Sequence, residues 1–223
     1  MKKSEISASM MCSDLIDLKD TIKIFEEEGI EYLHIDVMDG TFVPNFGLGV
    51  DYIRGLRKLT NIHLDIHLMV KDPEYKLHWL GIKESDVISI HYESTFQVQR
   101  ALDYLQPFGC KRFLAINPAT PISSLEEVLD YIDGINLLMV NPGFAGQKIV
   151  PSTILKAQKV VNLLKQEKRD DIIIEVDGNI TPENGKKLRT IGASRFVAGT
   201  SAIFKGDLQQ YRDNIIRFRE YID

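Results

Sequence analysis

The chain is short of cysteine, of long apolar runs and of surplus positive charge, and each shortage removes a class of function. Cys12 and Cys110 are its two cysteines in 223 residues, and they match neither a zinc-binding nor a redox spacing. Two isolated thiols predict a reducing, cytoplasmic setting with no disulfide framework. The fully apolar runs are only a few residues long, far below the ~20 needed to span a membrane. The opening stretch MKKSEISASMM carries two lysines, but Ser4 and Glu5 follow directly, which makes it a poor signal peptide. Lys and Arg number 27 against 32 Asp and Glu, a net charge of −5, and they are scattered. A nucleic-acid binder would cluster them, so neither nucleic acid nor membrane is expected as a partner. With 44% apolar residues and no low-complexity segment, disorder is excluded as well. A chain of this mass should fold to roughly 10,000 Å² of accessible surface, enough burial for a full core without staples.

What the sequence does contain is an alternation of short β-branched or apolar runs with longer amphipathic stretches. Strands are predicted at Ile6–Met11, Tyr32–Val37, His63–Met69, Asp86–His91, Arg112–Ile116, Gly134–Val140, Ile172–Asp177 and Ser194–Ala198. Helical patterns lie between them: Asp14–Glu28 with Asp14 as its cap, Pro73–Leu80, Phe96–Pro107, a long stretch from Pro151 or Ser152 to Lys168, Pro182–Ile191 and Asp207–Tyr221. Eight strand–helix units without a linker predict one α/β domain over residues 1–223, a single (β/α)8 TIM barrel. The open doubly wound sheet competes, but it carries a glycine-rich turn after its first strand. Here that turn reads Met10-Met11-Cys12-Ser13-Asp14.

A barrel places its active site at the carboxyl ends of its strands. Side chains alternate along a strand, so His34, Asp36 and Met38 share one face while Leu33, Ile35 and Val37 share the other. The apolar set should face the helices and the polar set the barrel mouth. By the same alternation Asp65, His67 and Met69 point inward from the third strand, and Glu175 and Asp177 from the seventh. Interior charge is costly unless paired or bound to metal. His34, Asp36, His67 and Asp177 therefore read as one divalent-metal site, and two nitrogen with two oxygen donors suit Zn²⁺, with Fe²⁺, Mn²⁺ or Co²⁺ also acceptable. His91, alone at the end of the fourth strand, reads as a hydrogen-bonded core histidine, and Cys12 as a space filler.

Three turns at successive strand ends suggest phosphate binding: Asn141 to Gln147, Asp177-Gly178-Asn179 and Gly199-Thr200-Ser201. Glycine lets the main chain approach anionic oxygens, and no Lys or Arg stands in these turns, so backbone dipoles would do the binding. Ser9, His67, Met38, Met69 and Met139 are candidate substrate contacts, the methionines as a dry, polarisable lining. No strand end carries a lysine, which argues against Schiff-base aldolases and lysine-dependent decarboxylases. No Gly-x-Ser-x-Gly elbow or Walker loop is present.

These residues resemble the ribulose-phosphate 3-epimerase family. The matching stretches are Ser7-Ala8-Ser9, His34 to Gly40 with Phe42-Val43-Pro44-Asn45, Asp65 to Met69, Asn117-Pro118-Ala119-Thr120-Pro121, Asn141 to Gln147, and Glu175 to Gly178, within a likeness running from Ile6 to about Phe204. The resemblance implies a (β/α)8 barrel, a divalent metal on His34, Asp36, His67 and Asp177, and epimerisation at C3 of a ketose phosphate. It makes Asp36 and Asp177 the acid/base pair and assigns phosphate to Gly143, Phe144, Ala145, Gly146, Gly178, Asn179, Gly199 and Thr200. Where the family often has Gly-Gly and Gly-Ser-Ala, this chain has Gly178-Asn179 and Gly199-Thr200-Ser201-Ala202. With Met11-Cys12, these departures look closer to the branch acting on allulose 6-phosphate, a hexulose; ribulose 5-phosphate stays the first expectation. A sugar-phosphate binding barrel without turnover is a more distant alternative. Barrels of this type often associate through their helices, so a homo-oligomer is an open expectation.

Overall fold

The apolar runs of the sequence pair edge to edge until no edge is left. In the computed structural model, which describes residues 2–223, the strands are β1 (Glu5–Ser9), β2 (Tyr32–Met38), β3 (His63–Met69), β4 (Val87–His91), β5 (Lys111–Ile116), β6 (Gly134–Leu138), β7 (Ile173–Asp177) and β8 (Arg195–Ala198). Each pairs in parallel with the next, and β1 pairs with β8 to complete a closed (β/α)8 barrel. Closure satisfies backbone groups that an open sheet would leave exposed. The helices are α1 (Leu18–Glu27), α2 (Val50–Leu59), α3 (Val98–Asp103), α4 (Ser152–Gln166), α5 (Pro182–Ile191) and α6 (Leu208–Ile222). The accessible surface is 10,543 Å², close to the value expected for the mass. Among the described residues no helix is long and apolar enough to cross a membrane.

The core follows from strand alternation. Leu33, Ile35, Leu64, Ile66, Ile88, Ile90, Leu114, Ile135 and Val176 are buried with helix residues such as Phe25, Ile53, Leu188 and Phe218 in one continuous apolar layer around the barrel. The opposite faces of the same strands carry the polar residues. Two helices start on well-made caps: Thr181 accepts from the Asn184 N–H ahead of α5, and Asp207 with Gln210 forms a capping box on α6.

Several connections are looser than the periodicity predicts. The helix expected from Asp14 begins at Leu18, because the Asp14 carboxylate accepts from the Ile16 N–H at 2.8 Å and makes a turn that competes with helix. Leu15 and Ile16, inside the span predicted as helix, are exposed instead. Pro73–Leu80 is two single 3₁₀ turns, Pro73–Tyr75 and Leu77–Trp79. Phe96–Pro107 shortens to α3, followed by a 3₁₀ turn that contains Pro107, which has no N–H to continue an α-helix. The first strand ends at Ser9 rather than Met11, and Met10–Cys12 turns across the barrel mouth.

The amino-terminal end of the barrel is plugged by one buried cation. The Arg195 Nε and Nη2 donate to Glu5 at 3.0 and 2.8 Å, its Nη1 lies 3.8 Å from Glu175, and its guanidinium sits 3.9 Å over the Tyr32 ring. Gly134 leaves room beside it for Phe113, whose ring a Cβ at that position would meet at 2.2 Å. Removing one member of a buried charged network leaves its partners uncompensated. Arg195→Met is therefore expected to cost about 3–5 kcal/mol in urea unfolding; a loss below about 1 kcal/mol would show that the guanidinium is dispensable.

Candidate active site

The strand register delivers the polar residues to one level of the barrel. Asp36 pairs directly with His67 and Met38 with Met69 across β2 and β3, while Leu138 pairs with Asp177 across β6 and β7. His34 and His67 are fully buried, and Asp36 and Asp177 reach the cavity above them. The His34 Nε2 lies 3.3 Å from Asp36 Oδ1 and 3.6 Å from Asp177 Oδ2, and the His67 Nδ1 lies 3.2 and 3.5 Å from the same two oxygens. The four expected donors are thus together, one atom from each within 4.8 Å of all the others.

This cluster fits a small dication. Four ligands about 2.0–2.1 Å from a tetrahedral zinc stand about 3.3 Å from one another, close to the spacings here. His34 supplies a second sign, since its Nε2 is buried without a hydrogen bond. The other nitrogen of that ring, Nδ1, is 2.7 Å from Asp65 Oδ2, and Ser7 Oγ donates to the same oxygen at 2.7 Å. An Asp65 carboxylate accepting the Nδ1 proton turns the Nε2 lone pair toward the centre. Burial by itself would disfavour charge on this ring, but Asp65 and Asp36 outweigh it and raise His34 well above the usual histidine range. Burial likewise pushes the aspartates up, and His34 outweighs it, holding Asp65 at about 2 and Asp36 well below the carboxylate range. A field that favours a proton here favours a metal cation in its place.

A cavity open to solvent lies over the cluster. Ser9, Asp36, Met38, Met69, Asp177, Gly143, Phe144, Ala145, Gly146, Gly178, Asn179, Gly199 and Thr200 line it, whereas His67, a candidate substrate contact, is fully buried outside the lining. Its lining contains no Lys or Arg among the described residues, so an anion would be met by main-chain N–H groups. The turns hold unusual backbone: Gly143, Gly146 and Gly178 have φ of 115°, 77° and 103°. Asn179, next to Gly178, is also left-handed at φ 53°, and asparagine is one of the few residues besides glycine that adopt this conformation readily. Asn45 Nδ2 donates to the Gly143 carbonyl at 2.7 Å, tying the loop after β2 to the loop after β6. Asp39 organises the first of these loops by accepting from the N–H groups of Thr41, Phe42 and Lys71, each at 2.9 Å.

Met139 departs from the expected lining. Gly134, Asn136 and Leu138 point into the barrel, so Met139 points out and packs in the apolar layer beneath the helices. Met11 takes its place, lining the cavity and packing against the Met38, Val43 and Met69 cluster. Cys12 is not a filler either: it lines the cavity, its thiol 3.8 Å from Ser9 Oγ and raised by burial. His91 is buried and hydrogen-bonded as expected, but its partner is the site itself. Its Nε2 is 2.8 Å from the Nε2 of His67, and its Nδ1 is 3.2 Å from Glu93 Oε2. Burial lowers His91 to about 4, so the ring is neutral; hydrogen bonds from His91, Thr120 and the Asn117 N–H outweigh burial and bring Glu93 down to about 2. Alternation along β4 was the available signal, since it turns Ser89 and His91 inward beside His67.

Comparison with known proteins agrees with the geometry. Residues 5–204 match the model of the ribulose-phosphate 3 epimerase family. The chloroplastic ribulose-5-phosphate-3-epimerase of Arabidopsis thaliana is 37% identical over 89% of this chain and 71% of its own length. The ribulose-phosphate 3-epimerase of Escherichia coli is 35% identical over 96% of both chains, and that of Bacillus subtilis 33% over 91% and 94%. Among solved structures, 3-keto-L-gulonate-6-phosphate decarboxylase from Vibrio cholerae superposes with a TM-score of 0.71 at 15% identity, covering 99% of this chain and 98% of that one. At that identity it shares the fold alone. The chain belongs to the ribulose-phosphate 3 epimerase family and is an isomerase, a carbohydrate-phosphate 3-epimerase.

Proposed function

We propose that this epimerase is metal-dependent and inverts C3 of ribulose 5-phosphate to give xylulose 5-phosphate, passing through an enediolate with Asp36 and Asp177 as acid and base. The observation that carries this reading is the convergence of four donors, with N···O separations of 3.2–3.6 Å and all within 4.8 Å of one another, beneath a cavity lined by three glycine-containing turns. A dication held by His34, Asp36, His67 and Asp177, Zn²⁺ or else Fe²⁺, Mn²⁺ or Co²⁺, would supply Lewis-acid stabilisation for charge developing on the sugar's C2 and C3 oxygens.

The side chains supply the proton transfers. Asp36 and Asp177 rise from β2 and β7 and approach the cavity from different strands, as an inversion requires. The ionised aspartate takes the C3 proton on one face, and the C–H electron pair passes into the enediolate. The neutral aspartate then delivers its proton to the opposite face. The two exchange roles in the reverse direction. Ser9 Oγ, 3.4 Å from Asp36 Oδ2, steadies the oxygen of Asp36 that lies outside the donor set. Met11, Met38 and Met69 keep the centre dry, and the turns at Gly143–Gly146, Gly178–Asn179 and Gly199–Thr200 receive the phosphate. Two unpaired thiols suit a reducing, cytoplasmic compartment.

A hexulose phosphate, allulose 6-phosphate converted to fructose 6-phosphate, is the second reading. Asn179, Met11 and Cys12 favour it, because the three positions at which the sequence resembles the hexulose-phosphate branch all line the cavity.

Incubation with each ketose phosphate in deuterated water is expected to place solvent deuterium at C3 of the preferred substrate, and elemental analysis to find one divalent ion per chain. Exchange should disappear after chelation and return when a dication is restored. Absence of C3 exchange from both sugars in metal-replete protein would remove the reading. Asp177→Asn should lower turnover more than about a hundredfold, and near-normal turnover would take Asp177 out of the mechanism. Gly178→Ala should raise KM for the phosphorylated sugar, since its Cβ would meet Val140 at 2.5 Å and its φ is 103°; an unchanged KM would separate that turn from the phosphate.

A further inference from the structure

The Asn117-to-Thr120 turn and Glu93 take no part in the chemistry above, yet both lead to a ring of the donor cluster. Glu93 Oε1 accepts from the Asn117 N–H at 2.9 Å and from the Thr120 hydroxyl. Glu93 Oε2 faces His91 Nδ1 at 3.2 Å, and His91 Nε2 faces His67 Nε2 at 2.8 Å. The two imidazole planes are inclined by only 23° with centroids 4.9 Å apart, which lets an N–H of one ring point along the lone pair of the other. Phe42 covers His91 at 4.8 Å, and His91 is fully buried, so water does not compete for its nitrogens.

With a metal on His67 Nδ1, proton counting along this row leaves one arrangement. Two ring nitrogens 2.8 Å apart share a single hydrogen. The Glu93 carboxylate, which already accepts from the Asn117 N–H and the Thr120 hydroxyl, also faces His91 Nδ1 as an acceptor, so that nitrogen carries a proton. A metal held on His67 Nδ1, the nitrogen 3.2 Å from Asp36 Oδ1 and 3.5 Å from Asp177 Oδ2, leaves the proton of that ring on Nε2, so the shared hydrogen belongs to His67 and His91 Nε2 accepts it.

We propose that Glu93 and His91 are positioning residues that set the tautomer of His67, and that the Asn117-to-Thr120 turn serves to orient the Glu93 carboxylate. The inference rests on the metal reading of the four-donor cluster. It assigns His67 what Asp65 gives His34, a proton acceptor behind the ring, relayed through a second imidazole.

Glu93→Gln tests it. The Asn117 N–H can only donate, so the amide oxygen stays on that side and the amide NH₂ faces His91 Nδ1. His91 is thereby forced to carry its proton on Nε2, and His67 to carry its own on Nδ1, where it blocks a ligand lone pair. Zn²⁺ affinity by chelator competition should fall about 10–100-fold. Glu93→Ala, which lets water accept from His91, should lose less, whereas a merely structural role for Glu93 predicts that alanine is the worse replacement. Nitrogen-15 NMR of labelled histidines in metal-free protein should show His91 protonated at Nδ1 in the wild type and at Nε2 in Glu93→Gln. Wild-type affinity in Glu93→Gln, a larger loss in Glu93→Ala, or unchanged tautomers would each overturn the inference. A wild-type chain that takes up no metal would overturn the underlying metal reading and this inference with it.

Discussion

Everything at the open end of this barrel depends on keeping four polar atoms a few ångströms apart inside a protein interior. Two carboxylate oxygens and two imidazole nitrogens, with N···O separations of 3.2–3.6 Å, can share so small a space only with a cation, proton or metal, among them. The strand register alone cannot hold such a group. Each imidazole is held from behind, His34 by Asp65 and Ser7, His67 by His91 and Glu93. These outer contacts reach into β1, β3 and β4 and the loop after β5, so a large part of the barrel interior serves the orientation of two rings.

The substrate side of the site follows a different logic. The proposed phosphate contacts are turns, and their power comes from main-chain N–H groups whose direction depends on backbone angles. Glycines at 143, 146 and 178 supply angles that side chains avoid, and Asn179 adds a fourth left-handed position that carries a side chain. With no cationic side chain in the lining, such a site gains selectivity from shape and loses the flexibility that lysine would bring. The tie from Asn45 to Gly143 makes the loops after β2 and β6 one unit over the cavity.

Some features were readable before any coordinates. The eight strand positions, the inward facing of His34, Asp36, His67 and Asp177, and the three glycine turns all follow from local pattern, since alternation of period two assigns faces without knowledge of neighbours. Met139 failed because its neighbourhood in sequence, close to a strand end, was weighed without its parity relative to Gly134 and Asn136. The predicted start of the first helix at Asp14 failed because a turn closed by the Asp14 carboxylate outcompeted the helical period around Leu15.

Strand order and parity are properties of the chain, and with them the sequence determined the barrel, the rim and the donor set. The third dimension decided which residues stand behind the donors. Glu93 meets Thr120, and His91 meets His67, only because neighbouring strands close into a ring that brings residues 24 or more positions apart within a hydrogen bond of each other. A hydrogen bond requires about 3 Å and a defined direction, and no periodicity in one dimension carries that information.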